Sequence, residues 1–273
     1  MTQTNRLAVM IDGEVVPADA AVRVTMDDGL IRGDGVFEGM RFYGRQPRTP
    51  DAHLERLAKS GAGAGITIDT ELLLQEMATF CDATVNPDCG VRLIVTRGGI
   101  RIWREEPIPA WGPEGMGLFP VAHRVTPLLI GVKTLSYAAN MRAQRMAKDQ
   151  GMNDALLYRA DDRVILEGPT TSFAWLQGDT LVFPPLDAGV LDSITRRIAS
   201  EAVTTIEREM TVDDLAGADG AFLLSSYQQA VPVHTVLGVA TFDVTTDRVR
   251  EVVEAVDAAT LARVESVGAP AGG

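Results

Sequence analysis

The sequence contains little cysteine and no long apolar run. Its two cysteines, Cys81 and Cys89, are not spaced from the three histidines in the way that metal ligands are. We therefore expect neither a disulfide framework nor a structural zinc site, and the composition fits a reducing cytoplasm. No run of about 18 apolar residues occurs, and the first residues lack the basic and apolar segments of an export signal. These absences predict an untargeted cytoplasmic protein.

The chain also lacks an excess of basic residues. Its 25 lysines and arginines against 37 aspartates and glutamates give a formal net charge of −12. Nucleic acids and anionic membranes favour a basic face, so neither is expected as a partner. A small anion remains possible as a ligand, because a few arginines in a pocket bind phosphate or carboxylate bidentately.

Two common nucleotide-binding motifs are absent. Neither G-x-G-x-x-G after a strand nor G-x-x-x-x-G-K-[ST] occurs. Strand-like and helix-like segments are mixed without regular βαβ alternation, which predicts an α+β protein. The proline-rich segment 105–116 predicts a linker between a small N-terminal domain, residues 1–112, and a larger domain, residues 117–273.

One lysine and one glutamate suggest a cofactor site. Lys133 lies just before a predicted amphipathic helix, residues 136–150, and Glu167 ends the apolar run 164–166 at a Gly-Pro turn. An amine and a carboxylate in one site can hold the two ends of pyridoxal phosphate, the amine as a Schiff base and the carboxylate at the ring nitrogen. The alternative is that Lys133 is a solvated surface lysine.

Two polar segments could bind an anion. Asp192 and Ser193 precede a predicted helix whose first N–H groups, at Ile194 and Thr195, form the kind of terminus that binds phosphate. An ordinary helix cap is the alternative interpretation. The Ser225-Ser226 pair, which follows an apolar strand, is either a turn or a pair of hydroxyls for an anion.

Seven segments in this order resemble the class IV aminotransferases, the pyridoxal phosphate enzymes of fold type IV. They are RGDGVFEGMRFY (32–43), HLERLAKSG (53–61), VTRG (95–98), KTLSYAANMRAQRMAKDQGMNDALL (133–157), VILEGPTTSF (164–173), LDSITRR (191–197) and SSYQQAVPV (225–233). The resemblance implies a small N-terminal α/β domain and a larger cofactor-binding domain with a β-barrel-like core. It also implies a homodimer in which the N-terminal glycine-rich loop contributes to the neighbouring subunit's site.

The resemblance assigns roles to the candidate residues. Lys133 would be the Schiff-base lysine and, once released, the base that moves the substrate proton, while Glu167 would pair with the pyridine nitrogen. Arg56 would bind the cofactor phosphate. The remaining cofactor-binding candidates are Leu191, Ile194, Thr195, Ser225 and Ser226.

The substrate candidates leave the specificity open. Arg97 matches the carboxylate-binding arginine of D-amino-acid transaminases, and Arg32 lies in the loop that would reach the neighbouring subunit. The other substrate-binding candidates are Phe37, Arg92 and Tyr137. Structural ion pairs are the alternative for Arg92 and Arg97.

Three activities are therefore considered. We expect amino transfer between a D-amino acid, of the D-alanine or D-glutamate type, and a 2-oxo acid such as 2-oxoglutarate or pyruvate. The alternatives are a branched-chain L-amino-acid transaminase and a 4-amino-4-deoxychorismate lyase.

Overall fold

The computed structural model describes residues 7–17 and 27–265, with the backbone alone given for Leu30. The chain divides into two compact units. The first unit comprises the described residues of Met1–Ile108, Val132–Ser136 and Arg263–Gly273, and the second comprises Pro109–Gly131 and Tyr137–Ala262.

This division differs from the two uninterrupted domains expected from the sequence. The first break, after Ile108, falls inside the proline-rich segment. Two later segments also belong to the first unit, because Thr134 forms an antiparallel bridge with Val36, and Val264 forms one with Arg48. Backbone hydrogen bonds between distant residues thus place these two short segments in the first unit. The amino-acid composition does not report such bonds.

The first unit contains a six-stranded sheet in the order β2-β1-β6-β5-β3-β4. All neighbouring strands are antiparallel. The strands are β1 (Val9–Ile11), β2 (Glu14–Val16), β3 (Gly35–Tyr43), β4 (Gln46–Pro47), β5 (Cys89–Thr96) and β6 (Arg101–Glu106). The Asp12-Gly13 dipeptide between two apolar stretches predicts a hairpin turn, and the hairpin that joins β1 and β2 confirms it.

Three helices belong to the first unit: α1 (Asp28–Arg32), α2 (Pro50–Ala64) and α3 (Thr70–Ala83). By residue type Asp51 is the expected N-cap of α2, and this expectation is wrong. The cap is Thr49, because Pro50 occupies the first helical turn, where its fixed φ and missing N–H cost nothing. Gly65 ends α2 in the left-handed conformation, at φ 68°.

The core of the first unit lies between β3 and the helices. Alternate residues of β3, namely Val36, Met40 and Phe42, are fully buried and belong to one apolar cluster with Leu54 and Leu57 of α2. This is the period-two pattern of a strand with one face on a core. The four glycines within 27–43 predict a strand interrupted by bulges, but the first part of this segment forms the short helix α1, and β3 then runs without a break.

The second unit contains a mixed sheet in the order β11-β10-β9-β12-β13-β7-β8, with β14 paired to β13. The parallel pairs are β7 with β8, β7 with β13, and β10 with β11. The strands are β7 (Met116–His123), β8 (Asp154–Arg159), β9 (Ser172–Gln177), β10 (Thr180–Phe183), β11 (Thr205–Glu207), β12 (Gly220–Ser225), β13 (Gln229–Val236) and β14 (Ala240–Thr241). Its helices are α4 (Ala138–Asp149), α5 (Ile194–Ala202) and α6 (Asp247–Leu261).

The α+β class is confirmed, whereas two local predictions for the second unit are wrong. The sequence predicts a helix from Ile194 to about residue 209, but α5 ends at Ala202, because the following residues are β-branched and form β11 beside β10. The sequence also predicts a helix over 211–216, where the structure has only a single 3-10 turn, Leu215–Gly217. Strand β13 is not predicted from the sequence, since it contains Pro232, a residue that disfavours central strands.

Candidate functional site

The backbone of Lys133 is held by two elements of the first unit. Its carbonyl accepts the N–H of Phe37 in β3 at 3.0 Å. Its own N–H donates to the Oγ of Ser60 in α2 at 3.1 Å. Ser60 is fully buried, so the acceptor of this hydrogen bond is shielded from water. Both backbone polar atoms of Lys133 are therefore paired within the first unit.

The amine of Lys133 faces an aromatic ring. Its Nζ lies 4.5 Å from the centroid of the Phe37 ring, within the range of a cation–π interaction. The sequence contains three lysines; Lys133 is half-buried, whereas Lys59 and Lys148 are exposed. The surroundings of Lys133 thus differ from those of a solvated surface lysine. Its role as the Schiff-base lysine stays a prediction.

Arg56 belongs to a buried triad with Glu38 and His53. The Nε and Nη2 of Arg56 donate to the two carboxylate oxygens of Glu38, each at 2.7 Å. The Nδ1 of His53 lies 2.8 Å from Oε2 of Glu38. Glu38 and His53 have no exposed surface, and Arg56 is 6% exposed. The predicted phosphate-binding arginine is therefore fixed in place by a carboxylate.

Charges in this triad follow from burial and pairing. Burial raises the pKa of Glu38, but Arg56 and the hydrogen bond from His53 outweigh it and lower that pKa to about 2. Burial lowers the pKa of His53 to about 4, although the Glu38 carboxylate opposes this shift. At neutral pH His53 is uncharged, and its proton lies on Nδ1, facing an oxygen that can only accept. Its Nε2 is buried and has no hydrogen-bond partner among the described residues.

Glu38 and Ser60 were not recognised in the sequence as site residues. The alternation of β3 places Glu38 on the same face as Val36 and Met40, which are fully buried. An acidic residue on the apolar face of a strand needs a buried cationic partner, and this was the signal available. Ser60 follows Arg56 and His53 on one face of α2, at helical spacing.

In the second unit, Glu167 is attached to the segment that leads into α5. Its Oε2 accepts the N–H of Leu191 at 3.3 Å. Its backbone carbonyl accepts the N–H of Leu157 in β8 at 2.9 Å, and the side chain is half-buried. The carboxylate is therefore tied to a backbone position two residues before the N-cap of α5.

The N-terminus of α5 is capped by Ser193, whose Oγ accepts the N–H of Arg196 at 3.4 Å. Ile194 and Thr195 are the first two helical residues. The N–H groups at such positions have no partner within the helix, and the helix dipole adds positive potential there. The geometry is compatible with both interpretations, an ordinary cap and a phosphate-binding terminus.

The serine pair after β12 has a structural contact. The Oγ of Ser225 accepts the N–H of Gln228 at 3.2 Å, as in a turn. Ser226 is half-buried. A role for either hydroxyl toward a phosphate stays a prediction.

The substrate-binding candidates among the arginines take part in ion pairs. Arg92 pairs bidentately with Glu106, at 2.8 and 2.9 Å. Arg97 pairs with Asp34 and also donates to the carbonyls of Ala64 and Gly65 at the end of α2. These contacts are the structural ion pairs that the sequence offers as the alternative role of Arg92 and Arg97. Binding of a substrate carboxylate by either arginine stays a prediction.

The two other polar candidates lie at helix ends. The side chain of Arg32, in the last turn of α1, is 71% exposed and pairs with Asp28 at 2.7 Å. Tyr137 directly precedes α4 and is half-buried. Neither placement tests a role toward substrate.

Within residues 7–17 and 27–265, no group of three or more His, Cys, Asp or Glu side chains is arranged to hold a metal ion. The helices of that same part of the chain are too short or too polar to cross a bilayer.

Comparison with known proteins identifies the family. The model of the family described as amino-transferase class IV matches residues 35–236, most of the chain. The chain belongs to the class IV aminotransferases. Enzymes of this family use pyridoxal phosphate, and we assign the same cofactor and the type IV fold to this chain.

Relatives within the family differ in their named activities. A Methanocaldococcus jannaschii protein, assigned provisionally as a branched-chain-amino-acid aminotransferase, is 27% identical over 85% of this chain and 88% of its own length. A bifunctional aminodeoxychorismate lyase and D-amino acid transaminase of Mycobacterium tuberculosis is 29% identical over 85% of this chain and 92% of its own. A hypothetical aminotransferase from the same organism, solved in a PLP-bound form, has a TM-score of 0.84 at 26% identity, covering 94% of this chain and 99% of its own.

Each unit contains groups of a kind that this cofactor binds. The first unit contains an amine beside an aromatic ring and a buried arginine. The second unit contains a carboxylate hydrogen-bonded to backbone and a capped helix N-terminus. An amine, an acid and groups for a dianion are the donor set that pyridoxal phosphate requires.

Proposed function

We propose that the protein transfers amino groups between a D-amino acid, of the D-alanine or D-glutamate type, and a 2-oxo acid such as pyruvate or 2-oxoglutarate. The family membership supports amino transfer. Arg97 supports the D-amino acid, since it occupies the motif position at which D-amino-acid transaminases bind the substrate carboxylate. The M. tuberculosis relative with D-amino acid transaminase in its name also supports this choice.

One observation carries the proposed placement of the cofactor, namely the hydrogen bond from the N–H of Leu191 to Glu167. It holds the Glu167 carboxylate against the backbone of Leu191, two residues before Ser193, the N-cap of α5. An acid and a helix N-terminus linked in this way suit the opposite ends of one small molecule, a protonated ring nitrogen and a phosphate.

The chain's own groups would divide the chemistry as follows. Bound pyridoxal phosphate supplies an electron sink for the bond broken at the substrate Cα. Glu167 would hold a proton on the ring nitrogen. The Nζ of Lys133 would anchor the cofactor covalently and, when released, take and return the substrate proton. Arg56, the α5 terminus and the two serines would hold the phosphate, with Leu191 beside the ring.

A second candidate is transfer from branched-chain L-amino acids. The observation in its favour is that Glu106 and Asp34 already compensate the charges of Arg92 and Arg97. Compensated arginines attract a second substrate carboxylate less strongly, so an apolar substrate side chain beside Phe37 would suit the site. The M. jannaschii relative supports this candidate.

The assembly is also part of the proposal. We propose a cytoplasmic homodimer in which the segment around Arg32 contributes to the neighbouring subunit's site. The exposure of the Arg32 side chain is compatible with such a contact. Sedimentation of the purified protein tests the dimer, and Arg32→Ala should weaken substrate binding without splitting the dimer.

The activity is tested by offering single substrates to the enzyme loaded with pyridoxal phosphate. D-alanine should convert the cofactor absorbance and release pyruvate, and L-leucine should not. Reaction of L-leucine with an inert D-alanine would favour the second candidate, and pyruvate release from 4-amino-4-deoxychorismate alone would establish the lyase. Lys133→Ala should react with none of them, whereas the exposed control Lys148→Ala should react as the unmodified enzyme does.

A further inference from the structure

The segment Val132–Ser136 is a strand-like insertion that completes an edge of the first unit's sheet. Strand β4 pairs only with the last residues of β3, at Phe42 and Tyr43. The beginning of β3 pairs on that side with the lysine segment, through the bridge between Val36 and Thr134 and the hydrogen bond from Leu135 to Gly35 at 2.9 Å. The position of Lys133 is thus determined by β3.

Two side chains also contact the lysine, one at its backbone and one at its amine. Ser60 binds its backbone N–H from within α2. The ring of Phe37, which is 4% exposed, lies beneath its amine. The backbone of Phe37 also binds the Lys133 carbonyl. One residue of β3 therefore contacts both ends of the lysine, backbone and amine.

We propose that Ser60 and Phe37 are positioning residues for Lys133, and we refer to the two as the lysine clamp. Ser60 prevents the backbone from turning away, and the ring of Phe37 retains the charged amine whenever it is not covalently engaged. This inference depends on the proposed role of Lys133 and extends it, because it explains how a long side chain stays within reach of the proton that it moves.

The physical reason is the freedom of a lysine side chain. A released amine on four methylene groups can adopt many rotamers, and ordering it costs conformational entropy. A ring face attracts an ammonium group without accepting its proton, so it holds the amine without competing as a base. Arg92 also approaches this ring, at 5.0 Å, but Glu106 compensates its charge.

The clamp is tested by following covalent attachment rather than turnover. Full-length protein is mixed with pyridoxal phosphate, samples are reduced with borohydride at intervals, and the label on the peptide containing Lys133 is measured by mass spectrometry. Ser60→Ala should slow the attachment by about three- to tenfold, the effect of one buried hydrogen bond. Phe37→Leu should slow it by a similar factor, about threefold or more, whereas Phe37→Tyr, which keeps a ring, should restore it.

A matched control separates positioning from general stability. Thr84 is a buried hydroxyl of the same unit that donates to the carbonyl of Cys81 at 2.9 Å, and Thr84→Ala should leave attachment unchanged. Unaltered attachment in both Ser60→Ala and Phe37→Leu, with Lys133 labelled in the unmodified enzyme, would overturn the clamp alone. Absence of label on Lys133 in the unmodified enzyme would instead overturn the proposed function. If Ser60→Ala does not fold, the comparison of Phe37→Leu with Phe37→Tyr decides the question.

Discussion

Glu38 binds Arg56 through two hydrogen bonds of 2.7 Å in the core of the first unit, where neither residue is more than 6% exposed. The pair joins β3 to α2. Because it is buried, loss of one charge leaves the other without compensation, and this cost exceeds the loss of any surface ion pair.

Glu38→Gln should therefore destabilise the protein strongly. The amide keeps the shape of the side chain but not its charge, so Arg56 would remain buried and uncompensated, at an expected cost of about 3–5 kcal/mol. Urea unfolding measures the change. Glu251→Gln, which disrupts the exposed pair with Arg248, is the control and should have little effect. Equal stability of the two variants would contradict the account of the triad.

His53 should make the first unit sensitive to acid. Its pKa is about 4 in the folded state and near 6.5 when unfolded, so below pH 6.5 the unfolded chain binds a proton that the folded chain does not. Stability should fall as the pH decreases from about 6.5 to about 4, by at most about 1.4 kcal/mol per pH unit. His53→Gln should flatten this part of the profile, as measured by unfolding at several pH values. An unchanged slope would show that His53 is not buried in its neutral form.

Asp154 should have the opposite effect on the pH dependence of stability, because it destabilises the second unit as the pH rises. Burial raises the pKa of this carboxyl to about 6, against hydrogen bonds from Ala155 and Gln144 that lower it. A raised pKa stabilises the fold below about pH 3.8, and this contribution is lost as the pH rises to about 6. Asp154→Asn removes the buried charge and should stabilise the protein at pH 7 by on the order of 1 kcal/mol. A thermal melt that shows destabilisation at pH 7 and none at pH 4 would contradict this assignment.

Arg97 offers a test that separates substrate binding from a structural role. If it binds the substrate carboxylate, Arg97→Ala should raise KM for the amino acid by about tenfold or more. Asp34→Asn removes the competing carboxylate of the Arg97 pair and should lower KM. The measurement is KM for D-alanine in both variants. An unchanged KM in both would mean that Arg97 serves only to hold Asp34 and the carbonyls that end α2.

Much of the fold could be predicted because the apolar periodicity of the segments and the residues at helix ends agreed with the tertiary structure. The apolar spacing of α2 and α3 and the alternating strand β5 are examples. Errors occurred where a non-local contact decided the outcome. The β-branched residues after α5 form β11 only because β10 is available as a parallel neighbour. The segment Val132–Ser136 belongs to the first unit because it pairs with the edge of β3.

The candidate site shows the same limit. Family motifs drew attention to Lys133, Glu167 and Arg56, but the residues that hold them lie far away in the sequence. Ser60 precedes Lys133 by 73 positions, and Leu191 follows Glu167 by 24. Helix and strand periods report which face a residue occupies but not which distant group it meets there. Glu38 is readable from the sequence as an acid on an apolar strand face, and Ser60 only as a residue on the same helix face as Arg56.

The scarcity of lysine in this chain allows covalent attachment of the cofactor to Lys133 to be tested by mapping. Enzyme saturated with pyridoxal phosphate is reduced with borohydride, digested and mapped by mass spectrometry over the peptides that contain Lys59, Lys133 and Lys148. One label per chain is expected, on Lys133. Label on Lys59 or Lys148 in place of Lys133, or an unlabelled chain, would show that Lys133 does not carry the cofactor.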